Sequence, residues 1–585
     1  MKNTMLNKIK TISYRWQLVT LITLDFGLNF NTLFNKYAVD DVVVLTENSV
    51  VMQGVKGIPK LLTTEFYFGR EKNENDVSGG RYRPFALIIF ALEYQFFGAN
   101  PMISHLINVL LFVFLVALLF KLFHQYIFRD KHKYLAFLTC LLFVVHPIHT
   151  EVIANVKSRD EIIAFVLLLL SAYTLIRYSE KKSIVMIISG LLCFLCALLT
   201  RESAIPFIVV VPLVAYFFFN QPIKKITLLS IPLVLVVILY MGIRFAIIGS
   251  NSGSNGGILN DPFLYASASE AFATKIYALY QYISLLIFPF PLSSDYGYNQ
   301  IAYIPLFSLP FILSASLLVV LGIIAIYQFK RKTLVSFSIF YFFLTIFLFS
   351  NLIIEFGVPL AERLLFQPSL AFCILFAMLF IKAQKHYRVI SYAVFLLVVL
   401  LFSVKTVLRN AEWKDNFTLY SKDVQSAPNS LRNNLYAANQ YLLLAEKEES
   451  QTIKNEYYQK AVTYDLKALE ILPHYILIYQ DLGLAYFKLN DYTHAAEHWL
   501  RARNIEPENE TNQKRTEMLS GIFYNLGEES FKSNKTKEAI EQLNKAVELN
   551  ERHAPAWHLL AKCYLLINDE ANARLAMQNA FIAEK

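Results

Sequence analysis

The chain has 585 residues, of which 56% are hydrophobic, 15% aromatic and 17% charged, with a mean hydropathy of +0.42. An average soluble domain is about 25% charged, so this composition excludes a disordered, collagenous or disulfide-stapled chain, and a wholly soluble one. The net charge of +9 divides unevenly: residues 1–409 hold 34 Lys/Arg and 20 Asp/Glu, whereas residues 410–585 hold 20 and 25.

A bilayer core about 30 Å thick requires about 20 apolar residues per helix. Eleven spans are predicted, near 15–34, 103–124, 134–149, 161–178, 183–200, 203–219, 226–246, 305–328, 334–354, 364–382 and 388–404. The first contains Asp25 and no small-residue cleavage site follows it, so it reads as a span rather than a cleavable signal. A twelfth apolar stretch, 274–291, ends in Pro289 and Pro291 and reads as a re-entrant or interfacial helix.

Short loops rich in Lys and Arg face the cytoplasm. Lys2, Lys8, Lys10 and Arg15 put the N-terminus there, followed by Arg129/Lys131/Lys133, Arg177/Lys181/Lys182 and Lys224/Lys225. The clusters Lys330-Arg331-Lys332 and Lys382/Lys385/Arg388 join them only if 274–291 does not cross. Everything after residue 404 is then on the non-cytoplasmic side, with 35–102 as the first external loop and 84–97 as an amphipathic helix on the membrane surface. The expected setting is a bacterial inner membrane with the C-terminal part in the periplasm, or the endoplasmic reticulum membrane in a eukaryote. The five cysteines are scattered, and Cys193 and Cys196, although spaced C-x-x-C, lie in an apolar helix and read as packing residues.

From Asn410 the chain becomes helical and charged, and a 34-residue period is visible. Tyr479, Leu482, Gly483, Tyr486, Ala495, Trp499, Ala502 and Pro507 form one unit. Trp557, Leu560, Ala561, Tyr564, Ala573, Met577 and Ala580 repeat it; Leu526, Gly527, Ala539, Leu543 and Ala546 belong to the unit between, and Ala461, Ala468 and Pro473 end a more degenerate first unit. These are tetratricopeptide repeats, and a stack of about four makes a concave surface suited to proteins or peptides. His494 and His498, spaced i, i+4, read as a solvated helix face rather than a metal site. The expected architecture is all-α, with a polytopic membrane bundle over residues 1–409 and a repeat α-solenoid over 410–585.

Charged groups beside a membrane are costly and call for a function. Six clusters fall on the external side: Asp40-Asp41; His146, His149 and Glu151 with Lys157, Arg159 and Asp160; Arg201-Glu202; Arg244; Asp295; and Glu362-Arg363. Together they imply one polar cavity. Arg159, Arg201, Arg244 and Arg363 suit a phosphate, and carboxylates suit the deprotonation of a hydroxyl. A phosphate-headed lipid and a hydroxyl-bearing acceptor fit such a cavity.

The order of motifs resembles the transmembrane and tetratricopeptide-repeat O-mannosyltransferases of the C-type glycosyltransferase fold. The matching stretches are FNKYAVDD, GGRYRPFALIIFALEYQFFGANPMISHLINVLLF, HPIHTEVIANVKSRDEIIAF, LLTRESAI, FPFPLSSDYG, AERLLFQPSLAFCIL and RNAEWKDNFTLYSKDVQSAPNSLRNNLYAAN. The resemblance implies transfer of a sugar, typically mannose, from a polyprenyl-phosphate-linked donor to Ser/Thr of an acceptor protein held through the repeats. It implies Asp40 as the catalytic base and Asp41 as its partner in substrate or ion binding. Arg83, in the GGRYRPF stretch, joins the substrate-binding set of His146, His149, Glu151, Arg159, Asp160, Arg201, Glu202, Arg244, Asp295, Glu362 and Arg363. Where the family usually has Lys-Glu after span 5, this chain has Arg201-Glu202. No metal ligand is assigned; C-type enzymes differ in metal dependence, and a divalent cation is compatible with the acidic pair. Two other readings stay open: a ligase or polymerase moving whole lipid-linked oligosaccharides, and a non-catalytic scaffold with protein-docking repeats. Nucleic acid is not an expected partner.

Overall fold

The computed structural model describes residues 13–70, 80–128, 133–219, 221–249 and 257–585. Lys2, Lys8, Lys10, Arg129 and Lys131, used above for orientation, lie outside the described residues. The described chain is helical throughout and carries no strand. It divides into two compact units, one running to Ser430 and the other from Leu431 to Lys585. The boundary therefore falls after Ser430 rather than after Arg409.

The first unit contains α1 (Tyr14–Asn29), α2 (Asp40–Leu45), α3 (Ile58–Leu61), α4 (Pro84–Phe97), α5 (Pro101–Leu122), α6 (Lys133–Val145), α7 (Thr150–Ala154), α8 (Arg159–Lys181), α9 (Ile184–Thr200) and α10 (Phe207–Phe219). It continues through α11 (Ile223–Ile248), α12 (Ala268–Ile287), α13 (Leu309–Phe329), α14 (Leu334–Phe347), α15 (Ser369–Ala383), α16 (Arg388–Glu412) and α17 (Asn416–Ser426). Each expected span contains a helix, although the helix in 334–354 ends at Phe347 and that in 134–149 at Val145. Among the described residues six helical stretches, not eleven, are long and apolar enough to cross a bilayer, and a seventh is added if the pair Tyr134–Val145 and Pro147–Ala154, bent by 54°, is one span. The chain is a multi-pass membrane protein. The bend has a local cause: Pro147 lacks an amide proton and disfavours helix at His146, so α6 stops at Val145. α9, α14 and α15 are apolar but shorter. The stretch read as re-entrant or interfacial lies in α12 up to Ile287, with Phe288–Pro291 following the helix, which is started by a capping box between Ser267 and Glu270.

One contiguous apolar core fills the bundle, with Phe112, Phe143, Phe165 and Phe366 meeting at its centre. The segment between α1 and α5 builds a smaller core, in which Val44, Val51, Phe66, Leu87 and Phe90 bury one another with Val156. α4 matches the expected amphipathic helix at both ends, burying Leu87, Phe90 and Ala91 and exposing Phe96 and Phe97. The stretch after the last span does not leave this unit: Trp413 and Leu419 are buried with Ala38 and Ala154.

The second unit is four helical hairpins: α18 (Leu431–Lys447) with α19 (Gln451–Ile471), α20 (Ile476–Lys488) with α21 (Tyr492–Ile505), α22 (Glu510–Lys532) with α23 (Thr536–Leu549), and α24 (Ala554–Leu566) with α25 (Glu570–Ala583). The small repeat residues are where paired helices touch. A Cβ at Gly483 would meet the Trp499 ring at 2.1 Å, and one at Gly527 would meet Leu543 at 2.8 Å. His494 and His498 both stack on Tyr486, and His494 bonds Asp491 at 2.7 Å. His494 keeps 54% of its side chain exposed, as a solvated face requires, whereas His498 is buried in the aromatic stack.

Candidate active site

The acidic pair sits on a tight turn. The Asp41 amide donates to the Ala38 carbonyl at 3.1 Å, closing a four-residue turn with Val39 at φ 54° and ψ −122°. The two carboxyls have opposite fates. Asp41 is fully buried, and its oxygens accept from the main-chain amides of Lys157 at 2.6 Å and Ala38 at 3.2 Å. Asp40 keeps 41% of its side chain exposed and lies 3.4 Å from the Lys157 ammonium, itself buried against the Phe66 ring.

Electrostatics separate the pair further. Burial raises the Asp40 carboxyl, but Lys157, Arg363 and Arg81 outweigh it and hold Asp40 below the ordinary carboxylate range. Burial raises Asp41 to about 7, against the amides of Lys157, Ala38 and Val156, and the Asp40 charge adds to the rise. Near neutral pH Asp40 is therefore an open carboxylate, while Asp41 is a turn-forming group that shares its proton. Both Asp41 oxygens are engaged by main-chain amides.

Around Asp40 stand three cations. Arg363 donates to Glu151 twice, from its side chain at 2.5 Å and its main chain at 2.8 Å, with 27% of the side chain exposed. Arg81 donates to the Tyr67 hydroxyl at 2.7 Å. With Lys157 these groups leave a surplus of one positive charge over Asp40 and Glu151, suited to an anion.

Behind this layer Arg83 bridges Glu202 at 2.7 Å and Asp160 at 3.1 Å, and Arg201 grips both Asp160 oxygens at 2.8 Å and meets Glu161 at 2.8 Å. Arg201 is thereby paired and buried. The same holds for Arg159: it is fully buried, bonded to Glu93, to Asn108 at 2.5 Å and to the Ser104 carbonyl at 2.9 Å. Arg244 spends one nitrogen on the Gly80 carbonyl at 2.8 Å and is partly exposed.

Both histidines are buried. His146 bonds the Leu286 carbonyl at 3.0 Å and the Ile148 amide at 3.2 Å, and His149 bonds the Ser369 hydroxyl at 2.8 Å among Phe143 and Phe366. They tie the bent α6–α7 segment to its neighbours. Asp295 accepts from Gly297 at 2.7 Å and Ser430 at 2.8 Å. One Glu362 oxygen accepts from Ser293 at 2.5 Å and from the Tyr296 hydroxyl at 2.8 Å, and burial raises this carboxyl to about 8. Both belong to a stitched corner completed by Arg409, fully buried against Asp423 at 2.8 Å. Among the described residues no group of three or more His, Cys, Asp or Glu side chains is arranged to hold a metal ion.

Sequence reading missed Arg81, Tyr67 and Arg409 and left Lys157 outside the site set. Arg81 and Arg83 flank one tyrosine in the same motif, so the signal for Arg81 was present in GGRYRPF.

A tetratricopeptide-repeat family model matches residues 520–553. The human protein named protein O-mannosyl-transferase TMTC3 is 24% identical, covering 93% of this chain and 65% of its own length. A Caenorhabditis elegans protein O-mannosyl-transferase, F38B6.6, is 25% identical over 71% of this chain and 58% of its own length, and human TMTC1 is 26% identical over 77% and 54%. The chain thus spans about two thirds or less of the length of these relatives. Among solved structures, MamA is 17% identical and covers 29% of this chain and 86% of its own, with a TM-score of 0.17. YrrB, described as a TPR protein with an unusual peptide-binding site, is 20% identical and covers 35% and 91%, with a TM-score of 0.17. The curated homologues of this multi-pass chain are thus the TMTC protein O-mannosyl-transferases, at 24–26% identity over most of its length, with a tetratricopeptide repeat in its C-terminal part.

Proposed function

We propose that this protein transfers a sugar, mannose by likeness to its named relatives, from a polyprenyl-phosphate donor to Ser or Thr hydroxyls of proteins on the non-cytoplasmic side of its membrane. The observation that carries this reading is Asp40: the more exposed, charged member of the acidic pair, facing Lys157, Arg363 and Arg81. The donor phosphate is held by these three cations. The acceptor hydroxyl loses its proton to Asp40 as its oxygen bonds the anomeric carbon. The bond from that carbon to the phosphate oxygen breaks, and the lipid phosphate departs with both electrons, stabilised by the same cations. Displacement in one step inverts the anomeric centre. Glu151 holds Arg363, and Glu202 and Asp160 hold Arg83, with Asp160 gripped in turn by Arg201, as a rigid wall behind the site. The repeats capture acceptor proteins. In a bacterium the membrane is the inner membrane and the repeats are periplasmic.

The test is Asp40→Asn, which leaves shape intact and removes the base. General-base help is worth about 10²–10⁴-fold, so transfer in membranes falls by that factor while expression and donor binding persist. Wild-type turnover by this variant overturns the assignment. Glycopeptide mass spectrometry reads a single hexose under this proposal; a long glycan favours an oligosaccharide ligase instead.

A further inference from the structure

The Ala38–Asp41 turn is in a conformation its sequence does not favour. Val39, at φ 54° and ψ −122°, occupies the first central position of a type II′ turn, which belongs to glycine. A β-branched residue at positive φ is strained, and such strain persists only where the surroundings over-determine it. Those surroundings come from 377 residues further along the chain: the Val39 amide donates to the Asn416 side-chain oxygen at 2.7 Å. Nearby, the Lys36 amide donates to the Lys414 carbonyl at 2.8 Å, and the Asn35 side chain to the Asn410 carbonyl at 3.0 Å. Ala38 is buried with Trp413 and Leu419. Asn416 opens α17 but does not cap it. Asp415 does, accepting from Thr418 at 2.9 Å, which leaves the Asn416 oxygen to Val39.

We propose that Asn416 is a positioning residue for sugar transfer: its side chain holds the strained Ala38–Asp41 turn and so aims Asp40 at the acceptor hydroxyl, a role that rests on the function proposed above. Segment 410–419 is then a clamp on the catalytic loop, not a connector to the repeats.

The test is a double-mutant cycle on the purified full chain, with a synthetic polyprenyl-phosphate mannose and a Ser/Thr peptide. Misplacing a reacting group by about 1 Å costs about 10²-fold, so Asn416→Ala lowers kcat by about that factor, with donor KM little changed because Lys157, Arg363 and Arg81 are untouched. Asn416→Asp, which keeps an acceptor oxygen, restores most of the loss. In the Val39→Gly background the same Asn416→Ala change costs much less, because glycine adopts the turn unaided. An equal loss in both backgrounds overturns the inference, since it shows that Asn416 does not act through Val39. The same cycle is read in melting temperature, independently of any substrate: Val39→Gly raises the Tm of the wild type more than that of Asn416→Ala, in which the released turn has already shed part of its strain. Additive Tm changes overturn the clamp, whereas absence of transfer by the wild type with coupled Tm changes overturns only the assigned reaction.

Discussion

The two units use charge in opposite ways. In the membrane unit, ionic groups are buried and shared: Arg159, Arg201, Arg83 and Arg409 are each nearly or fully enclosed and bonded to carboxylates. In the repeat unit, many of the ion pairs join residues three or four apart on helix surfaces, as Lys514–Glu510 does with both side chains more than 70% exposed. Exposed pairs contribute little, and the repeats are held together by small residues such as Gly483 packed on Trp499. Buried pairs are costly to break because the surviving charge is left without a partner. Charge specifies geometry in the first unit and serves solubility in the second.

The sharpest way to break this contrast is Glu93→Ala, which strands the Arg159 guanidinium in the core. We expect a loss of about 3–5 kcal/mol, read as the melting shift of the membrane unit in detergent. A second effect concerns pH. Asp41 holds its folded carboxyl at about 7, above the unfolded value of about 4. Its charged form is therefore disfavoured in the fold, and its contribution to stability is fully present below pH ~4 and declines as pH rises toward 7. Against Asp41→Asn, the wild-type Tm should fall across that window; a constant difference would remove Asp41 as a titrating group. The smallest effect is expected from Glu510→Gln on the repeat surface, within about 0.5 kcal/mol. A shift there as large as that of Glu93→Ala would erase the distinction between the units.

Much of the site was legible as motifs but not as roles. Within HPIHTEVIANVKSRDE, Lys157 pairs with Asp40, Glu151 with Arg363 and Asp160 with Arg201. His146, His149 and Arg159 bond elsewhere, because partners depend on which neighbouring helix covers each residue. Lys157 and Arg159 are two positions apart, yet one faces Asp40 and the other Glu93. Arg81 and Arg83 are two positions apart, a spacing that puts both side chains on one side of an extended stretch, so local geometry does not separate them. The motif contains both, and only packing sends Arg81 to Tyr67 and Arg83 to Glu202.

The sequence by itself determined the division into an apolar, basic part and a charged, acidic repeat part, because apolar length and a 34-residue period are local properties of the chain. It also determined the repeat hairpins, whose glycines and alanines sit where helices must approach. Tertiary structure alone decided which of two adjacent aspartates is open. Asp40 and Asp41 are chemically identical, and they differ only because the turn, Lys157 and the segment around Asn416 bury one carboxyl against amides and leave the other beside cations. It also decided that the membrane unit extends past Glu412 to Ser430. The residues responsible, Trp413, Asn416 and Asp423, find their partners near residues 38, 39 and 294, a distance along the chain that no local pattern encodes.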